Sequence, residues 1–230
     1  MLARHNPHHR LRRRLATSVA ALVVCVSVGG ISQARVEHQV AAQPLERLLR
    51  VGYLGCSQTT GSAEGYHELG GIRLWPTIQY GGGSISRWAN PSESSSYWAT
   101  FDQNMLEHPA LSIWWELCVI GGNAAANLAD ARIVLAQLHV HAPLSVIYVS
   151  AQNAYVAPHV CGIGPPNAAA IAQEVADSLV ATTGVLRGPH MSALRGSDSY
   201  GPGPDETMGG CHPNELGRAK LGANLLTFFG

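Results

Sequence analysis

The sequence predicts an α/β domain built on a parallel sheet with helices on both faces. Two observations carry this. Three short apolar runs, beginning at Leu49 (LRVGYLG), Leu111 (LSIWWELCVI) and Leu144 (LSVIYVS), have the near-continuous hydrophobicity of strands covered on both sides. Between and after them lie stretches with helical spacing, such as Leu128, Ile133, Leu135 and Leu138, or Ile171, Val175 and Leu179. Strand alternating with helix along one chain implies this layered architecture.

The 230 residues suit one domain after a leader. Residues 1–34 read as a secretory signal peptide. Arg10, Arg12, Arg13 and Arg14 precede an apolar stretch over 15–31, and Ser32-Gln33-Ala34 forms a small-x-small cleavage site. The apolar stretch is short for a membrane span of ~20 residues. The adjacent arginines leave a twin-arginine route open. Residues 35–48 are a polar linker, and residues 49–230 are the domain. The leader removes five arginines and no acid, so 10 basic and 15 acidic residues remain, a net charge of −5 with histidines neutral. No basic face for nucleic acid is visible, and a mildly acidic chain fits a soluble exported protein. No stable membrane insertion is expected once the leader is cleaved.

The first strand spans 49–55. A short helix follows over 62–69, with Ser62 as its cap. Residues 75–80 form a second strand, closed by Gly81, Gly82 and Gly83, which let backbone approach a ligand closely. Asn90-Pro91 and a serine cluster make the start of 86–108 a loop, with a helix over 97–106. The middle strand is 111–120, where Glu116 marks one end or face as less buried. A helix over 124–139 stops before Pro143. Residues 144–150 form the next strand, and 155–167 a Pro/Gly-rich loop. A helix over 167–183 leads to a short fifth strand at 184–186. Residues 192–211 make a long loop, a length often associated with function. The closing helix is 213–229, with proline in its first turn.

Three polar groups sit where apolar runs end or helices begin. Ser57 follows the first strand, in the region where ligands gather on open α/β sheets. A serine there can act as a nucleophile if a base reaches it. His212, in GGCHPNELG, is that base, since imidazole is the side chain suited to moving a proton near neutral pH. Asn123 follows Gly121 and Gly122 at the end of the middle strand. Each has a bland reading too: a turn serine, a helix-start histidine and a helix-capping asparagine.

Taken in order, Gly-x-Ser, Gly-x-Asn and His-Pro-Asn resemble the motifs of the SGNH hydrolases, the GDSL-type esterases and lipases, from about residue 50 to the C-terminus. The resemblance implies a three-layer flavodoxin-like sheet and a secreted serine esterase acting on a carboxylic ester without metal or organic cofactor. It implies that Ser57 attacks the ester carbonyl while His212 carries the proton. The oxyanion donors it implies are the Ser57 N–H, a glycine N–H after the second strand and the Asn123 amide. Gly83 is preferred among the three glycines, because Ser84 and Ile85 then fit the family's following residues. Its substrates would be short acyl esters, acetylated sugars or lipids.

The chain departs from the family at three positions. The aspartate expected three residues before the histidine is Gly209. Asp205 and Glu206 are the nearest upstream acids, with Asp205 the preferred partner for His212; a backbone carbonyl is the alternative. The usual aspartate before the serine is Cys56, and Ala124 follows Asn123 where the family has aspartate. The missing acid motivates a rival reading, a glycan- or ligand-binding module that kept the fold and lost catalysis.

Cys56, Cys118, Cys161 and Cys211 are an even set, which in an exported chain suggests disulfides. Cys161–Cys211 is favoured, since both lie in Gly/Pro-rich loops and the bridge would pin the loop of His212. Cys56 and Cys118 fall on neighbouring strands of the resembled fold, where they either pair or stay as buried thiols. Cys56 is also a weaker candidate nucleophile. His139 and His141 resemble half a metal site, but no third ligand has telling spacing. Trp88 and Trp98 either line an acyl or sugar site or pack in the core. No nucleotide loop, zinc pattern or Gly-x-Ser-x-Gly elbow is present.

Overall fold

A computed structural model describes residues 50–230. The proposed leader and the whole of the linker lie outside the described residues. Four parallel strands run in the order β1 (Val51–Leu54), β2 (Ser112–Leu117), β3 (Val146–Ala151) and β4 (Leu186–Arg187). Helices α1 (Ser57–Glu68), α2 (Ile85–Ala89), α3 (Pro91–Glu107), α4 (Ala124–His141) and α5 (Ala168–Thr183) connect them. A hairpin of β5 (Thr207–Met208) and β6 (His212–Pro213) leads into the last helix, α6 (Glu215–Phe229). This is the expected α/β sheet flanked by helices.

Both sheet faces are buried. Trp114 and Trp115 are consecutive, fully buried and on opposite faces. On the first face Tyr148 packs edge-on against Phe228 of α6, with ring centroids 5.6 Å apart. On the other, Trp75 and Phe101 of α3 meet edge-on at 5.2 Å.

Beyond β1 the sheet gains one bridge, between Val51 and Leu74. The order is therefore flavodoxin-like, with its second strand reduced to a single contact. The strand expected over 75–80 is not formed, because Pro76 has no N–H for the ladder. The Tyr53 hydroxyl holds this edge instead, donating to the Pro76 carbonyl at 3.1 Å and accepting from the Ile78 N–H at 2.7 Å.

Helix boundaries differ from expectation for local reasons. α1 begins at Ser57 rather than Ser62, and Ser62 is fully buried inside it, donating to the Gln58 carbonyl. Gly61 and Gly65 are poor helix formers, each costing about 1 kcal/mol against alanine. They are explained by α6 and the proline just ahead of it. A Cβ on Gly61 would lie 2.6 Å from Pro213 Cγ, and one on Gly65 would collide with the Arg218 carbonyl. On the other side of the contact, a Cβ on Gly222 would strike the Gly65 backbone. Small residues thus let two backbones touch. The serine cluster is helical rather than loop, since Asn90 caps α3 through the Ser92 N–H and Pro91 takes the first helical position. Pro213 precedes α6 rather than starting it, and Asn214 is the cap.

Glu116 was expected at a less buried place, yet it is fully buried beneath α1. Neither carboxylate oxygen has a hydrogen-bond partner. Burial pushes its pKa from 4.5 to about 7, opposed by a smaller pull from the Thr59 hydroxyl.

Gly65→Ala should therefore lower unfolding free energy by about 1–3 kcal/mol in urea. Gly162→Ala, with no atom within 4 Å of the added carbon, should leave it unchanged. For Glu116, the folded chain holds a proton that the unfolded chain has released between pH 4.5 and about 7. Stability should fall across that window, by up to about 3 kcal/mol from this group once pH passes the folded value. Thermal melts should show Glu116→Gln close to wild type at pH 4.5 and more stable at pH 8.

Candidate active site

The carboxyl ends of β1 and β2 are joined covalently by Cys56–Cys118, and the loop after β3 is joined to the β5–β6 hairpin by Cys161–Cys211. The favoured pair is present, and the pair left open is also bonded, so Cys56 is not a free thiol. The bridges close 62 and 50 residues of chain. In the chain-entropy account each contributes about 4 kcal/mol to stability. One cysteine of each bridge directly precedes a candidate residue: Cys56 before Ser57, and Cys211 before His212.

Ser57 is the first residue of α1, and its Oγ lies 2.8 Å from His212 Nε2. Both side chains are partly exposed. The Ser57 N–H, at the first helical position, has no intrahelical acceptor, and the helix terminus there favours negative charge.

His212 is presented by the hairpin. Gly209 and Gly210 form its turn with φ of 60° and 75°, in the left-handed region that favours glycine. The position where the resembled family carries aspartate is therefore set by turn geometry. Asn214 fixes the exit: its Oδ1 accepts from the Leu216 and Gly217 N–H groups, and its Nδ2 donates to the Asp205 carbonyl at 2.8 Å.

Asp205 does not contact His212. Its Oδ1 accepts from both the N–H and the hydroxyl of Thr207, each at 2.8 Å, which holds the carboxyl below its usual range. A short two-residue reach makes this local turn the easier partner. Glu206 pairs with Lys220 at 2.9 Å and accepts the Arg195 N–H. His212 Nδ1 has no hydrogen-bond partner among the described residues.

The hairpin is gripped through its backbone instead. The Tyr155 hydroxyl donates to the Cys211 carbonyl at 2.6 Å and accepts from Gln58 Nε2 at 2.6 Å. Burial pushes the Tyr155 phenol up to about 12, which keeps it a donor at neutral pH. Buried His159 hydrogen-bonds the Gly210 carbonyl through Nε2 at 2.6 Å, with Asp198 on its Nδ1. Sequence reasoning missed Gln58, Tyr155, His159 and Asp198. The available signals were that Gln58 follows the serine and that His159 shares a Pro/Gly-rich loop with Cys161.

Gly83 is poorly placed as a donor, because its N–H is committed to the Tyr80 carbonyl at 3.0 Å. Gly82 lines the cavity beside Ser57 and Gly83 does not. Asn123 caps α4, its Oδ1 accepting from the Ala126 N–H at 2.9 Å. It is exposed and outside the cavity lining, and its Nδ2 has no hydrogen-bond partner among the described residues. Trp88 and Trp98 are core residues, with the Trp88 indole donating to the Gly55 carbonyl. His141 pairs with Asp102 and stacks on Trp98. Among the described residues, no group of three or more His, Cys, Asp or Glu could hold a metal, and no helix is long and apolar enough to cross a membrane.

No family model and no curated protein matches the chain. Among solved structures, the chain is similar to the periplasmic domain of a lipopolysaccharide acetyltransferase from Salmonella ser. Paratyphi A. Identity is 10%, the TM-score is 0.53, and 84% of this chain covers 88% of that one. It is also similar to a Lactobacillus plantarum protein, with 15% identity, TM-score 0.47 and coverage of 77% and 94%. A third is a Bacteroides fragilis protein with the provisional name acylhydrolase, with 12% identity, TM-score 0.45 and coverage of 86% and 97%. At such identities the likeness speaks to the fold alone, an α/β architecture shared with the acetyltransferase domain.

Since neither nearby acid reaches the ring, Asp205→Ala and Glu206→Ala should each lower kcat for an ester by less than about tenfold. His212→Ala should lower it by at least about a thousandfold. Steady-state rates of the three variants check this; an acid variant as slow as His212→Ala contradicts it.

Proposed function

We propose that the chain is a serine ester hydrolase of the SGNH type, exported to an oxidising compartment. The observation that carries this is the 2.8 Å approach of Ser57 Oγ to His212 Nε2, at the carboxyl end of a parallel sheet and at the mouth of a cavity. His212 Nε2 takes the hydroxyl proton as Oγ bonds to the ester carbonyl carbon. The carbonyl electrons move onto oxygen, facing the free Ser57 N–H at the positive end of α1. Gly82, rather than Gly83, is the glycine donor that the cavity lining supports. Asn123 Nδ2 is the third donor by resemblance, with its Oδ1 fixed by the cap. The tetrahedral intermediate collapses, and His212 returns the proton to the leaving alcohol. Water, deprotonated by His212, then releases the acid and restores Ser57.

The chemistry runs on a Ser57–His212 dyad whose ring is placed by its backbone. The two disulfides support a location outside the cytoplasm.

One observation favours a second reading. His212 Nδ1 lacks the partner that would fix the tautomer of a catalytic imidazole, as a binding module that lost catalysis would. Hydrolysis of p-nitrophenyl acetate separates the two. Ser57→Ala should fall at least about a thousandfold in kcat. Equal rates for both proteins would remove the serine reading; no rate from either, together with glycan binding, would favour the module.

A further inference from the structure

Beside the cavity at Ser57 lies a second one, of about 400 Å³, at the carboxyl ends of β3 and β4. Gln152, Ala154, Ala169 and Ala170 line both. Ala170 is exposed and the other three are half-buried, so the shared wall is low and open to water. A ligand held at Ser57 can extend across it.

The far rim of the second cavity is the segment Arg187-Gly188-Pro189-His190. Its backbone is fixed. The Gly188 N–H donates to the Val149 carbonyl at 2.8 Å, and the Ser150 hydroxyl donates to the Pro189 carbonyl at 2.7 Å. Just beyond, the Ser192 N–H donates to Asn224 Oδ1 at 2.8 Å. A Cβ at position 188 would lie 2.6 Å from Ser150 Oγ, so glycine is what lets the segment pack against β3.

This rigid rim presents donors that the fold leaves unused. Arg187 Nη2 pairs with Asp177 of α5, while Nε and Nη1 have no hydrogen-bond partner among the described residues. Neither ring nitrogen of His190 has one either. Gln152 Oε1 accepts the Val119 N–H, which sets the amide orientation and leaves Nε2 as a further free donor. Among the described residues that line the cavity there is no Asp or Glu, and Gln173 Oε1 is its uncommitted amide acceptor. The side chains of Arg187 and Asp177 are 45% and 55% exposed. An ion pair so open to water contributes little, so Arg187 can turn to a ligand at small cost. Guanidinium bonds to carboxylate and phosphate are short, directional and stronger than neutral ones.

Resting on the hydrolase reading above, we propose that the second cavity binds an anionic group, carboxylate or phosphate, on an arm of the ester whose carbonyl sits at Ser57, with Arg187, His190 and Gln152 Nε2 as its donors. Ala151, Pro189 and Met191 line the remainder and accommodate the carbon linker.

Three anionic esters test this, each against its neutral, methyl-esterified counterpart. Mono-p-nitrophenyl adipate carries the charge on the acyl arm. γ-Acetoxybutyrate and acetoxybutyl phosphate carry it on the alcohol arm, as carboxylate and as phosphate. In at least one pair kcat/KM should favour the anion by about tenfold, through KM more than kcat. Raising ionic strength from about 0.01 to about 1 M shortens the Debye length from ~30 to ~3 Å and should shrink the preference. Arg187→Met should bring the ratio close to one. Asp177→Asn, which removes the competing carboxylate, should raise it. If Arg187 served only to anchor α5, neither variant would move the ratio. Ratios near one in all three pairs, or a preference that Arg187→Met leaves intact, overturn the proposal when hydrolysis depends on Ser57. If no hydrolysis depends on Ser57, the serine reading fails separately, and the rim is read by calorimetry of monomethyl adipate and butyl phosphate with the Ser57→Ala protein. Saturable binding that Arg187→Met abolishes upholds the anion site, and no binding of either overturns it.

Discussion

Backbone contact between α1 and α6 is the constraint on which the site depends. Ser57 begins one helix, and His212 precedes the other by three residues. Gly65 and Gly222 let these helices approach until no Cβ would fit, and Gly61 admits the Pro213 ring just ahead of α6. Packing in protein interiors resists displacement, because a dense core transmits strain rather than absorbing it. A seam this tight fixes the distance between the elements carrying the hydroxyl and the imidazole. The same glycines weaken α1 as an isolated helix, so its stability comes from tertiary packing.

The two disulfides extend this rigidity to the loops. Ser57 and His212 each follow a cysteine bonded to a distant segment, so the backbone just before each is tethered. Around His212 the tether is doubled by hydrogen bonds from Tyr155 and His159 to the carbonyls of Cys211 and Gly210. A carboxylate on the ring would fix orientation and also stabilise the imidazolium. The backbone grip supplies orientation alone. On the proposed hydrolase reading, less stabilisation of a charged ring is the physical consequence of putting glycine at the hairpin turn.

The layered fold was legible because buried parallel strands such as 111–117 leave a continuous apolar signature. The approach of Ser57 to His212 was expected from the ordered motifs that resemble a family, since each residue alone reads as readily as a turn serine or a helix-start histidine. The Cys161–Cys211 bridge followed from the Gly/Pro-rich loops at its two ends. Other features needed coordinates. α1 starts five residues earlier than expected because Ser62 has the character of a cap, yet it lies inside the helix and donates to the Gln58 carbonyl. Asp205 looked available because spacing cannot show that Thr207 engages it first. The second strand failed because Pro76 removes a donor, and no pattern foretold that Tyr53 would replace it. The grip by Tyr155 and His159 joins segments more than 50 residues apart and has no periodic trace. Glu116 was read as a sign of exposure, since charges are almost never fully buried.

The central claim is that Ser57 is made nucleophilic by His212 and by no other group. A fluorophosphonate probe reports this without depending on the natural substrate, since it bonds to an activated serine oxygen and stays. Mass mapping of the labelled protein should place one adduct on Ser57, with labelling lost in His212→Ala and kept in Asp205→Ala. Labelling that ignores the loss of His212, or that lands on another serine, would contradict the account.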